Sequence, residues 1–249
     1  MIPEYHPYVL PFNTKPGLYK LGHDFGNGKY DSMAFQKDDN LNKYIIEKSS
    51  IKHSAININY SYIKEINEIY GYVREQAPYS IDFHGKIQDD YTIHKVESDT
   101  DKVIYSDVSV PSLWRPEQAL GKSLSEFHEP VPSITFPKKL INTLINGQFV
   151  RFVWSVFYNQ RLNQHPGLPL ECFNSEKPNW HVRVERQVTV GFPDINCFLF
   201  VIKPYIVKAP KIPELLNTIN GMNEIQKKYK RITPEFIYYL KCKNKNENY

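Results

Sequence analysis

The sequence predicts an α+β fold: an antiparallel β-sheet with flanking helices in one elaborated domain. Three observations predict it. The runs "QFVRFVWSVFYNQ", "WHVRVERQVTVGF" and "CFLFVIKPYIV" alternate and are rich in β-branched and aromatic residues, the composition of half-buried strands. The first two are joined by the loop sequence "HPGLPLECFNSEKPN" rather than by a helix, and strands joined by loops form antiparallel sheets. Apolar residues recur at helical spacing before and after these strands. A length of 249 residues fits one enlarged domain.

The chain opens with Pro3, Pro7, Pro11 and Pro16. Proline breaks helices and cannot donate to a ladder, so residues 1–20 read as an extended arm. Its Tyr5, Tyr8, Phe12 and Tyr19 are expected to pack along the body. A helix follows in "DDNLNKYIIEKSS", with Asp38 or Asp39 as its cap. "NYSYIKEINEIYGYV" spaces Ile63, Ile66, Ile69, Tyr70 and Val73 as a second helix, with Asn59 or Ser61 as cap. "IQDDYTIHKV" carries no decisive pattern, whereas "KVIYSDVSV" alternates as a strand through Val103 and Tyr105. In "SLWRPEQALGKSLSEFHEPVP" Pro116 suits a first helical position. Leu120, Leu124, Phe127 and His128 then share one helical face until Pro130 and Pro132 end it. "FPKKLINTLING" reads as a short helix with Pro137 in its first turn and Gly147 at its end. Beyond the third strand, "IPELLNTINGMNEIQKKYKR" reads as a helix and "ITPEFIYYLK" as a shorter one. The organisation is an arm at 1–20, a single domain over 8–231 and a C-terminal extension with a basic tail at 232–249.

Composition excludes several function classes. The net charge of +4 is mild, and the dense basic run "QKKYKR" fits a helix C-terminal end, where cations complement the dipole. The tail reads as solvated. No nucleic-acid partner is expected. Cys172, Cys197 and Cys242 match no zinc spacing and cannot all pair, which suits a reducing compartment. No apolar run approaches the ~20 residues of a membrane span, and the N-terminus lacks a secretory pattern. A soluble, cytoplasmic protein with no membrane partner is the expectation. Dinucleotide, P-loop, serine-hydrolase and zinc-protease motifs are missing.

Two places carry chemistry. His128 sits at the end of an apolar stripe. It is either a core histidine donating to a carbonyl or an axial ligand to haem iron. On the strand "WHVRVERQ", His181, Arg183, Glu185 and Gln187 share one face. Val182, Val184, Arg186 and Val188 share the other, so Arg186 interrupts an apolar face. It is either an internal ion pair, with Glu126 or another acid, or a cationic anchor for a carboxylate or propionate. Arg151 repeats the anomaly on the neighbouring strand, beside Trp154. Together they suggest a pocket walled by the sheet. The paired acids Asp38-Asp39 and Asp89-Asp90 read as capping or solvated residues.

The blocks "IQDDYTIHK", "VSVPSLWRPEQALGKSLSEFHEPVP", "RFVW" and "VRVERQVTVGFP", in this order, resemble the motifs of the haem-dependent oxidative N-demethylase alpha-subunit-like family. The opening "LPFNTKPGLYKLG" is also similar. The resemblance implies a PAS-like sheet that forms a haem pocket, in a monooxygenase that demethylates a small alkylamine. It further implies electrons from NADPH through a separate reductase carrying flavin and an iron–sulfur cluster. The family's histidine maps onto His128 as the iron ligand. Trp114, Arg151, Trp154, Arg183 and Arg186 follow as cofactor-binding candidates. The chain departs from the family pattern at Ala119 (a lysine there), Val153 (an asparagine) and Gly191–Pro193. It has no flavin or iron–sulfur motif of its own. A non-catalytic haem or small-ligand sensor on the same fold is the alternative, and a cofactor-free interaction protein the third.

Overall fold

The computed structural model describes residues 5–9, 17–26, 28–37, 41–51, 55–77, 89–132, 136, 139–207 and 210–246. Among the described residues seven strands form one sheet: β1 (Tyr19–Lys20), β2 (Ile56–Ile58), β3 (Asp90–Glu97), β4 (Thr100–Asp107), β5 (Gln148–Phe157), β6 (His181–Phe192) and β7 (Cys197–Ile206). Their order is β1-β5-β6-β7-β3-β4-β2, and every neighbouring pair is antiparallel. The α+β class and the antiparallel sheet are as the sequence predicts. Helices are α1 (Leu41–Ser49), α2 (Ile63–Gln76), α3 (Leu124–His128), α4 (Leu140–Ile145), α5 (Ile212–Asn220), α6 (Glu224–Tyr229) and α7 (Pro234–Asn246).

One face of the sheet is closed by apolar packing. Ile66, Ile69 and Val73 of α2 meet Tyr91, Ile93, Val188, Leu199 and Val201. Leu215 and Ile219 of α5, with Phe236 and Leu240 of α7, meet Val156, Val182 and Val184. Tyr8 of the arm is buried in the same cluster. Among the described residues the opposite face is covered in part by Leu124 of α3 and Leu140, Leu144 and Ile145 of α4 against Phe198, Phe200 and Ile202, and in part by α1, whose Tyr44 packs with Val110, Leu162 and Ile206. Between these covers lies a cavity.

Three elements differ from their sequence expectation. The helix expected from Pro116 to His128 is a single 3-10 turn at Pro116–Gln118 and then α3 alone. Gly121 takes φ +81, a left-handed conformation that ends a helix. Ser123 then starts a new one with a complete capping box to Glu126. Leu120 is therefore exposed rather than part of the stripe. The unsettled "DDYTIHKV" falls in β3, and the run 212–231, expected as one helix, is two, α5 and α6, because Asn223 caps α6 anew. The tail is helical through Asn246. Asp89 and Asp90, expected to be solvated, are fully buried. Asp90 pairs with Lys48 at 2.7 Å and accepts from the Val110 N–H. Burial pushes the Asp89 carboxyl up to about 6 against the pull of Lys203, Arg186 and Lys48. Asn59 caps the turn before α2, accepting from Ser61 N–H. The proposed caps Asp38 and Asp39, and Pro137, lie outside the described residues. Among the described residues no helix is long and apolar enough to cross a membrane.

Candidate functional site

Alternation fixes the cavity wall. On β5 and β6, Arg151 pairs in register with Gln187, Val153 with Glu185 and Ser155 with Arg183, so all six side chains project to one face. Thr92 and His94 of β3 and Phe200 and Ile202 of β7 continue it. Opposite lie Trp114, Leu124, Phe127 and His128, and the space between is about 500 Å³, within the ~300–1,000 Å³ of ligand pockets. Among the described residues β1 pairs with Phe149 and Val150 of β5 and no further along it. Past that point the cavity reaches round the β5 edge to Phe152 and Trp154, where Tyr5 and Phe25 close it.

His128 is the last residue of α3. Its Nδ1 lies 2.7 Å from the Leu124 carbonyl. A carbonyl only accepts, so Nδ1 carries the proton and Nε2 keeps its lone pair. Nε2 has no hydrogen-bond partner among the described residues. Burial holds the imidazole below the usual histidine range; the Leu124 bond opposes this and Arg151 reinforces it. The ring meets Phe136 edge-on at 5.4 Å, and Trp114 meets Phe127 at 5.2 Å. Both readings of His128 are thus half present: it donates to a carbonyl, and it also presents a free nitrogen to a cavity.

The three arginines separate. Arg151 lines the cavity with no ion pair or hydrogen bond among the described residues, and burial lowers its pKa despite the opposing charge of Glu185. Arg183 also reaches the cavity, but its donors are engaged. They go to the Leu162 and Val110 carbonyls, to Ser112 and to Glu185 at 2.6 Å. Burial would raise the Glu185 pKa, yet Arg183, Ser112 and Gln187 hold it below the usual value. Arg186 is not in the cavity. It points through the opposite face and donates to the Met33 and Ala34 carbonyls. Glu126, its suggested partner, caps α3 instead. Strand parity places Arg186 on the face opposite Arg183, and there its donors are taken by the two carbonyls. Trp154 lies at the edge of the cavity, with Lys230 Nζ over its ring at 5.3 Å.

Sequence reasoning missed Thr92, His94, Glu185, Gln187 and Lys230 as wall residues. Glu185 and Gln187 were signalled by their shared face with Arg183. Lys230 was not: it sits in a basic run that reads as a solvated helix end, yet it is buried. Its Nζ donates to the Trp154 carbonyl, and burial lowers its pKa to about 7, helped by Arg151.

Residues 61–235 match the family model described as haem-dependent oxidative N-demethylase, alpha subunit-like. That span is well over half of the chain. The chain belongs to this family. Within the family match lie His128, Trp114, Arg151, Trp154, Arg183 and Arg186. Of the cavity wall, only Tyr5, Pro7, Gly17, Tyr19 and Phe25 precede it. No curated protein matches the chain in sequence. Gly191 has a local physical reason. A Cβ on Gly191 would come within 1.9 Å of the Ile145 carbonyl oxygen, so the end of α4 packs directly on β6 only because that residue is glycine.

Proposed function

We propose that the cavity takes haem, whose iron His128 would hold through Nε2, and that the protein is a haem-dependent oxidoreductase acting on a small alkylamine. The observation that carries this reading is the orphaned Nε2 of His128 facing a cavity of cofactor size, in a chain of this family. An axial imidazole needs its other nitrogen fixed and an apolar surround; the Leu124 carbonyl and the Trp114, Phe127 and Phe136 rings supply these. Arg151 fits a propionate, because it is a half-buried cation with no ion pair or hydrogen bond among the described residues. Arg183 instead keeps Glu185 charged and in place, and Arg186 is structural. The sheet, with its one open face turned into a ligand cavity, is read as PAS-like.

Bound haem would supply the oxidation, and the protein's part is to hold and orient it and to keep water out. Electrons would come from a separate NADPH-dependent reductase carrying flavin and an iron–sulfur cluster. Titration of the purified protein with haem, followed by absorption, tests the reading. Saturable binding at one haem per chain is expected, and no binding contradicts it.

A second reading is a haem-binding sensor without turnover. Val153 favours it: the residue lines the cavity where the family pattern carries an asparagine, so a polar group is missing from the wall. Amine-dependent NADPH consumption with an added reductase separates the two. Consumption supports the enzyme; haem binding with no consumption supports the sensor.

A further inference from the structure

We propose that Thr92, His94 and Asp101 form a relay that takes a proton from a ligand bound in the cavity. The proposal rests on reading the cavity as the haem and amine site.

The geometry is a continuous chain. Thr92 Oγ lies 2.9 Å from His94 Nε2, and His94 Nδ1 lies 2.8 Å from Asp101 Oδ2. Thr92 and His94 both line the cavity. Asp101 Oδ2 accepts from the Leu124 N–H, and as an acceptor toward His94 as well it places the imidazole proton on Nδ1. Its Nε2 then accepts from the Thr92 hydroxyl, which leaves the Thr92 oxygen lone pairs for the cavity. All three residues are buried, at 4, 1 and 6 % exposure, so bulk water does not compete for these bonds. The imidazole is further fixed by stacking on Phe198, with ring centroids 4.5 Å apart and planes 13° from parallel.

A bulge builds the arrangement. The β3–β4 register steps between Ile93 and His94: Ile93 faces Tyr105, but His94 faces Val103. Ile104 is the extra residue. By simple alternation Asp101 would share the face of Tyr105, which packs with Tyr91 and Ile93 away from the cavity. The inserted residue reverses the phase and turns Asp101 toward His94, the kind of re-aiming that bulges provide. The same Asp101 oxygen accepts from the Leu124 N–H at 2.8 Å. Leu124 in turn holds His128 through its carbonyl, so the relay and the axial histidine are anchored to one carboxylate.

The step conserves atoms and charge. A proton leaves the ligand, an alkylammonium for instance, for Thr92 Oγ, and the hydroxyl proton of Thr92 passes to His94 Nε2. The product is a neutral amine and an imidazolium held beside the Asp101 carboxylate. An Asp–His–hydroxyl series serves the same role in other base-assisted sites.

Cyanide binding to the ferric, haem-loaded protein is a direct probe, because hydrogen cyanide must give up a proton to bind as the anion. The association rate is expected to fall tenfold or more in His94→Gln and in Asp101→Asn, with the Soret band retained. Asp101→Asn keeps an acceptor for the Leu124 N–H, so it separates anchoring from proton transfer. Rates equal to wild type in a haem-loaded variant overturn the relay. In the haem-free protein, nitrogen-15 NMR should show His94 protonated at Nδ1, with an Nε2 resonance that moves in Thr92→Val. Protonation at Nε2, or no response to Thr92→Val, overturns the proposal. This second measurement decides even if haem does not bind, an outcome that would sink the cofactor reading alone.

Discussion

Arg151 and Arg183 lie on adjacent strands of one wall, yet their substitutions are expected to act in opposite ways. Among the described residues Arg151 has no ion pair or hydrogen bond to lose. Arg151→Leu should leave the haem-free protein at least as stable as wild type in urea unfolding, while haem dissociates tenfold or more faster. Arg183→Leu strands the buried Glu185 carboxylate and should cost about 3–5 kcal/mol of stability. If Arg151→Leu retains haem as wild type does, Arg151 is no propionate anchor. His181 gives a pH test. Burial lowers its pKa from 6.5 to about 4, with Arg183 adding to the shift. The unfolded chain then takes up the proton first as pH falls. The stability that His181 contributes is present above pH 6.5 and is lost progressively down to about pH 4, by roughly 3 kcal/mol in all. His181→Leu should lose that part of the acid slope, measured as the difference from wild type across the same window.

At the scale of elements, what was legible follows from which local rule dominates. β5, β6 and β7 read clearly because their faces differ in chemistry. β3 did not, because Asp90, Thr92 and His94 are polar yet buried, and alternation of polarity vanishes when both faces are inside. The Pro116–His128 stretch shows the opposite failure. Its apolar spacing suits one helix, but Gly121 and Ser123 divide it, and the local cap outweighs the period. That division matters to the site, since α3 has only five residues and relies on its cap. Ser123→Ala should cost about 1 kcal/mol and loosen His128. The checks are urea unfolding and faster haem loss; an unchanged dissociation rate would mean that the helix is held by packing alone.

Across the whole molecule, the site is a cavity against one sheet face. α2, α5 and α7 close the other face, and α1, α3 and α4 close part of this one. The cavity remains where Arg151, Arg183 and Glu185 of β5 and β6 face the α3 side chains. The chain's sequence pointed to His128, Trp114, Arg151, Trp154 and Arg183, which do meet around this cavity. It also pointed to Arg186, which does not, because a pattern of charges on a strand marks burial without saying on which side the ligand lies. The residues it missed on β3 are distant in sequence and depend on a bulge that no local pattern announces. The central claim is that His128 is an iron ligand, and the absorption spectrum of the haem-reconstituted protein tests it most directly. The account predicts a Soret band in the wild type that is lost or shifted in His128→Ala and restored by added imidazole; no Soret band in the wild type, or an identical band in His128→Ala, would contradict it.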